Sequence, residues 1–420
     1  MVERNWAGNV SYGAARHHEP TSVADVQALV AASTKLRAVG SRHSFNTITD
    51  TEGDLVSLAS LPRVVELDPQ ARTVTVDGGV KYGELATQLN DNGWALANLA
   101  SLPHISVAGA CATATHGSGA TNGNLATAVQ AIEIVAASGD LVDVSRDDDP
   151  ELMDAVTVGL GAFGVVTRLT LAVEPTYSVS QRVYEHLPMQ TAIDRLDEIM
   201  ADGYSVSLFT SWGPDEVEQL WRKQRVADSS ADDDDVSSPR YGAMPSIREM
   251  HPIAGLPAEP CTEQLGVAGP WHERLPHFRM GFTPSSGDEL QSELFVGRAD
   301  APATMRALVE LHDVLAPVLK ISEVRAVAAD ALWLSMCHRR DSIAFHFTWI
   351  QSWPDVEPVL AQVESALAPF APRPHWGKLS TLRGDVLRAR FGRLGDFAQL
   401  ADEWDPTHKF RNAYLDAVFT

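Results

Sequence analysis

Two short β-prone runs in the last third of the chain carry side chains whose types and spacing suit work on a hydroxylated ligand. In the run 321–327, Glu323 and Arg325 are two residues apart, so a strand points both to the same face. In the run 343–350, Ile343, Phe345, Phe347 and Trp349 alternate with His346 and Thr348, which gives one apolar face and one polar face. Each hydroxyl of a ligand needs a donor and an acceptor, and such a face supplies both. An ordinary ion pair on a solvated strand fits the same spacing equally well. Lys378, in the segment His375-Trp376-Gly377-Lys378 after two proline bends, adds a cation whose plainer reading is a surface lysine.

A second unusual stretch runs from Ser101 to Gly123 and consists almost wholly of small residues. Small residues let backbone N–H groups approach a bound ligand closely, and an idle loop of this length is uncommon in a compact domain. His104, Ile105 and His116 within it argue against a plain Gly/Ser linker. Two familiar motifs dissolve on inspection. Gly159-Leu160-Gly161-Ala162-Phe163-Gly164 matches the dinucleotide-binding spacing, but here a helical segment precedes it and a strand follows, the reverse of the required order. His272 and His277 lie five apart with Pro276 between them, which no helical zinc motif allows, and His17-His18 is equally uninformative. No nucleophile elbow or P-loop is present, and no metal site is expected.

The elements that must position these residues are legible in outline. Ser22 caps a helix with Asp25 three residues on, and Val23, Val26, Leu29 and Val30 form its buried stripe. Strands are expected at 36–40, 55–58, 64–67 and 73–76, the last two joined by an Asp68-Pro69-Gln70-Ala71 turn. A helix over 82–89 stops at Asn92-Gly93. Further strands are expected at 131–136, 141–144 and 165–173, then a neighbouring pair at 205–212 and 216–225. The acidic run 228–239, with four consecutive aspartates, reads as a solvated mobile loop.

The 420 residues suggest two lobes. A formal net charge of −22 disfavours nucleic acid and anionic membrane surfaces as partners, since both select for basic patches. Three scattered cysteines, Cys111, Cys261 and Cys337, make no disulfide framework and suit a reducing cytoplasm. No apolar run is long enough to span a bilayer, and the first residues lack the apolar core of a secretory signal. These features predict a cytoplasmic, membrane-free chain, taken as a monomer.

Several segments together resemble one family. Gly40-Ser41-Arg42-His43-Ser44-Phe45-Asn46, the run 100–119, Gly159 to Thr167, Thr262 to Phe278, Arg373 to Lys378 and Asp405 to Asn412 look like the alditol (xylitol) oxidases, which are FAD enzymes of the vanillyl-alcohol-oxidase type close to the aldonolactone oxidases. The resemblance runs over essentially the whole chain. It implies FAD attached covalently to His43, with Ala38, Val39, Gly40, Ser41, Arg42 and Ser44 wrapping its pyrophosphate and ring. Ser101, Ser106, Gly109, Thr113, Ala114, Thr115, His116, Val166 and His375 are implied as further cofactor contacts. The substrate roles implied fall on Ser101, Glu323, Arg325, Thr348 and Lys378, with Arg325 and Lys378 stabilising the reacting oxygen, Glu323 taking the next hydroxyls and His346 orienting the reacting one.

On this basis the fold is expected to be α+β, with two domains of the vanillyl-alcohol-oxidase type and a large antiparallel sheet flanked by helices in the substrate domain. The boundaries expected are 1–178 for the FAD domain, 179–370 for the substrate domain and 371–420 for a segment returning to the first. The activity implied is oxidation of the terminal CH–OH of xylitol or sorbitol to the aldose, with hydride passing to the flavin and oxygen reduced to hydrogen peroxide. An aldonolactone (gulonolactone-type) oxidase or dehydrogenase is the alternative. The chain departs from the family at Arg42, where glycine is frequent, and at Ala120, where a larger aliphatic residue could shape the pocket wall.

Overall fold

The first helix, Val23–Ala32, begins where the sequence places it: the Asp25 N–H donates to Ser22 Oγ at 3.1 Å, and Val26 and Val30 are buried. In the computed structural model, which describes residues 3–228, 238–282 and 288–419, this helix packs beside a parallel three-stranded sheet ordered Arg16–His18, Asp54–Ser57, Leu36–Val39. A second, antiparallel sheet runs Val65–Asp68, Thr73–Asp77, Val165–Ala172, Val129–Val135, Leu141–Ser145. Val165–Ala172 alternates buried and half-buried residues along its length, as a strand with one covered face should. The four aspartates expected in a solvated loop lie outside the described residues.

From Ser178 onward the chain builds one antiparallel sheet of nine strands. Its middle runs Ser178–Pro188, Glu216–Arg225, Ser205–Thr210, Leu319–Val327, Ser342–Ile350, Glu289–Gly297, with two-residue strands at Met244–Pro245 and Arg373–Pro374 closing the edges. The pair expected at 205–212 and 216–225 is adjacent, but the first strand stops at Thr210 because Trp212 has φ +66° and turns the chain. One face of this sheet carries Phe345, Phe347, Trp349, Leu294 and Val324, all fully buried beneath helices Ala301–Glu310 and Trp353–Leu367. The indoles there are satisfied by small hydroxyls: Trp349 Nε1 donates to Ser292 Oγ and Trp212 Nε1 to Ser322 Oγ, each at 2.8 Å. That leaves the opposite face free to be polar.

The architecture is the α+β fold expected, with the large antiparallel sheet flanked by helices. Two details differ. The small-residue run contains a six-residue helix, Val107–Ala112, too short to leave a periodic signal. The chain after Pro245 makes a long irregular excursion over 246–268, a stretch for which no element was placed from sequence. Beyond Arg373 the chain packs back on the first lobe. The Lys409 carbonyl accepts from the Leu36 N–H, Lys409 Nζ donates to the Val30 and Ala137 carbonyls, and Phe410 is buried beside Val26, Val30 and Leu36.

Candidate active site

The polar face of the large sheet looks into a single deep cavity that continues into the first lobe. Register explains how three strands supply one cluster. Glu293 lies opposite His346, His346 opposite Glu323, and Gln291 opposite Thr348, so all five point to the same side. Arg325 is two residues along from Glu323 on that face, and the Arg373–Pro374 edge strand carries the chain to His375 and Lys378.

Glu293 organises the cluster. It is fully buried; Oε1 accepts from Arg325 Nη2 at 2.6 Å and lies 3.2 Å from His116 Nε2, while Oε2 accepts from Lys378 Nζ at 2.7 Å. Burial alone would push its carboxyl upward, but Lys378, His116 and Arg325 hold it well below the usual carboxylate range. Arg325 also donates from Nη1 to Ser101 Oγ at 3.2 Å, which ties the small-residue run to the sheet. Lys378 Nζ donates to His346 Nδ1 at 2.9 Å, and His346 Nε2 lies 3.2 Å from Thr348 Oγ1. An ammonium can only donate, so His346 accepts at Nδ1 and carries its hydrogen on Nε2. Burial, then the nearby Lys378, pushes the His346 imidazole down to about 3, so it is neutral.

The cavity's other end is walled by the loop around His43. The His43 ring stacks on Trp6, with centroids 5.2 Å apart, and its Nδ1–H donates to the Ser41 carbonyl at 2.9 Å. Burial pushes this imidazole down to about 4. Facing it, Ser106 Oγ is buried without a hydrogen-bond partner, and a Cβ added to Gly40 or Gly109 would sit 2.3 or 2.8 Å from it. Two glycines whose added Cβ would crowd Ser106, with that unpaired hydroxyl between them, make a trough suited to close backbone approach to a flat or phosphorylated group.

Ala38, Val39, Gly40, Ser41, Arg42 and Ser44 all line this trough. So do Gly109, Thr113, Thr115 and Val166, while Ser101, His116 and His375 lie where it meets the sheet. Ala114 is not among the residues lining it: it has φ +51° and is buried in the core of the first lobe. Ala120 likewise packs against the core under the large sheet and not on the cavity wall. Arg42 has φ +62°, a conformation that favours glycine, and its guanidinium pairs with Glu3.

Sequence reasoning missed Glu293, Gln291 and His277. Glu289, Gln291 and Glu293 alternate with Leu290, Ser292 and Leu294, the same period that exposed the other two strands, so that signal was present. His277, set aside with the false zinc motif, lies on the cavity wall with Nε2 2.7 Å from Glu323 Oε1. His251, Ile253 and Leu256, from the irregular excursion, also line the cavity and had no sequence signal.

A glycine-walled cofactor trough opening onto a polar sheet face defines a two-lobed FAD-dependent oxidoreductase of the vanillyl-alcohol-oxidase class. Residues 15–145 match the FAD binding domain family, and residues 292–418 match the D-arabinono-1,4-lactone oxidase family. The chain is 48% identical to alditol oxidase of a Streptomyces species over 98% of this chain and 97% of that protein, and it belongs to the alditol oxidase family. It is also 28% identical to the L-gulono-1,4-lactone dehydrogenase of Mycobacterium tuberculosis, over 99% of this chain and 98% of that one. In three dimensions it resembles the crystal structure of cholesterol oxidase from B. sterolicum, with a TM-score of 0.78 at 14% identity over 100% of this chain and 96% of that one, which speaks to the fold alone.

Proposed function

We propose that this chain oxidises the terminal CH–OH of open-chain alditols such as xylitol and sorbitol to the aldose, with oxygen reduced to hydrogen peroxide. The observation that carries this reading is the pair of cations, Arg325 and Lys378, gripped by Glu293 where the cofactor trough meets a face rich in hydroxyl-binding groups. When bound, FAD supplies the two-electron acceptor for the carbinol hydride and returns those electrons to oxygen. Ala38 to Ser44, Ser106, Gly109, Thr113 and Thr115 would hold it, and His43 would attach it covalently, its imidazole kept neutral by burial. The unpaired Ser106 hydroxyl and the glycine walls fit such a group.

The chain's own residues do the rest. Arg325 and Lys378 hold the terminal oxygen and stabilise the alkoxide character that develops on it as its proton departs, which is discharged when the hydride leaves and the carbonyl forms. His346 accepts at Nδ1 from Lys378 Nζ and so aims that ammonium at the reacting hydroxyl, which it helps to orient. Glu323, Thr348 and Ser101 bind the following hydroxyls and set the chain's register. Buried strands around the cluster keep water away. The domain boundaries near residues 178 and 370, a cytoplasmic location and a monomeric state belong to the same proposal.

The test is peroxide formation in air by the yellow protein, offered xylitol, sorbitol and gulonolactone separately. Peroxide with the polyols supports the reading; peroxide with the lactone alone overturns it. The lactone alternative is kept because the lactone-oxidase family match covers Glu293, Arg325, His346 and Lys378. Flavin that stays with the protein after acid precipitation, and leaves it in His43→Ala, supports the covalent bond; release from the unmodified protein refutes it.

A further inference from the structure

Lys223 is a fully buried lysine that the chemistry above does not use. It lies on the Glu216–Arg225 strand, and its Nζ donates to the Leu275 and Pro276 carbonyls at 2.6 and 2.9 Å and to His277 Nδ1 at 3.3 Å. We propose that Lys223 and His277 form a positioning pair behind Glu323, which locks that carboxylate in one orientation and so sets how the site engages the inner hydroxyls of its polyol. The proposal rests on the alditol reading for its substrate and on geometry alone for the lock itself.

The lock follows from hydrogen counting. An ammonium has three hydrogens and no lone pair, so toward His277 it can only donate. A neutral imidazole that accepts at Nδ1 carries its hydrogen on Nε2, and Nε2 is 2.7 Å from Glu323 Oε1. The ring cannot swing away, because it stands edge-on to Phe209 and Trp221 with centroids 5.5 and 5.2 Å distant. Glu323 Oε1 is thus engaged from behind while Oε2 lies 3.5 Å from Arg325 Nε, and the carboxylate has little freedom to turn. Ser207 Oγ also lies 3.5 Å from His277 Nε2.

The charges around the pair give it a pH dependence. Burial, reinforced by Lys223, pushes His277 down to about 4, with Glu323 opposing and Arg325 adding to the push, so the ring stays neutral. Burial also draws Lys223 down to about 7, opposed by Glu323 and Cys261 and aided by Arg274. Once Lys223 loses its proton it no longer fixes Nδ1 as an acceptor, and the Glu323 carboxylate alone keeps the hydrogen on Nε2. The lock therefore weakens as pH rises through neutrality. Because Arg325 and Lys378, which hold the reacting oxygen, are anchored by Glu293, the consequence falls on polyol binding more than on the hydride step.

Two measurements test this on the FAD-loaded enzyme. The first is the ring-nitrogen NMR shift of His277, assigned by its loss in His277→Gln. The Nε2–H neutral tautomer is expected at pH 6, and in Lys223→Met, which removes the neighbouring positive charge, the ring should titrate at higher pH; an Nδ1–H ring in the native protein, or an unshifted titration in the variant, overturns the lock. The second is kinetics on xylitol. His277→Leu should raise KM by about tenfold or more, while His277→Gln, which keeps an N–H toward Glu323, should stay within roughly threefold, with limiting flavin reduction little changed in both. Equal losses in the two variants, or a fall in the limiting rate at constant KM, would point to a merely structural role. If Lys223→Met does not fold, the His277 pair decides the matter. If no alditol reduces the native enzyme, the substrate reading fails and the tautomer still decides the lock.

Discussion

Glu293 brings together two cations that would otherwise repel one another in a site from which water is largely removed. Removing its charge in Glu293→Gln leaves Arg325 and Lys378 buried without their shared anion. Breaking a buried pair in this way costs about 3–5 kcal/mol, and urea unfolding of the FAD-loaded variant should show a loss of that order. An unchanged midpoint would mean that the cluster is wetter than its burial implies. Lys378→Ala and Arg325→Ala ask a different question. Each should abolish reduction of the flavin by xylitol while the protein stays yellow, since neither side chain lies in the narrow trough around Ser106. Normal anaerobic reduction in either variant would show that the reacting oxygen is held elsewhere.

The same residues matter only because strands alternate. Along Ser342–Ile350, Phe347 faces the helices and Thr348 faces the cavity, so adjacent substitutions should separate stability from function. Phe347→Ala removes a ring stacked on Trp349 at 5.1 Å and should cost about 3–5 kcal/mol in chemical denaturation. Thr348→Val keeps the shape but deletes the hydroxyl next to His346, so the denaturation midpoint should hold while KM for the polyol rises roughly tenfold. If both variants lose stability alike, the polar face is part of the packed core and not a binding surface. The alternation itself was legible in two of the three cavity strands. The third, Glu289–Gly297, carries the same pattern and went unread for want of a partner that would mark Glu293 as more than a surface carboxylate.

Across the whole molecule, burial of uncharged imidazoles makes acid the vulnerable direction. His277 and His346 are held at about 4 and about 3 in the folded protein against an ordinary 6.5. Between those values the unfolded chain binds protons that the folded chain refuses, so the contribution of these two rings is full above pH 6.5 and falls as pH drops below it. Glu323 and Glu293, both held low by their cations once burial is overcome, add to the loss below the ordinary carboxylate value of 4.5. Scanning calorimetry should therefore find a melting temperature that declines steadily from pH 6.5 to pH 4. A flat profile over that range would show that these side chains titrate normally and that the cluster is open to solvent. Among the described residues no helix is long and apolar enough to cross a membrane.

Sequence by itself determined what depends on local pattern. The Ser22 cap, the strand periods, the reversed glycine motif at 159–164 and the unusual small-residue run each follow from neighbours in the chain, and with the family resemblance they point to a flavin trough and a polar strand face. Tertiary structure alone decided which charges meet. The bonds from Glu293 to His116 and Lys378 span 177 and 85 residues, and the one from His277 to Glu323 spans 46, so register and chain return create contacts that no spacing rule encodes. It also sorted look-alikes: Ala114 went to the core while Thr113 and Thr115 stayed on the trough, because φ +51° at Ala114 turns the chain between them. Periodicity reports which face of an element is covered, whereas the identity of the covering group is a property of distant chain brought close.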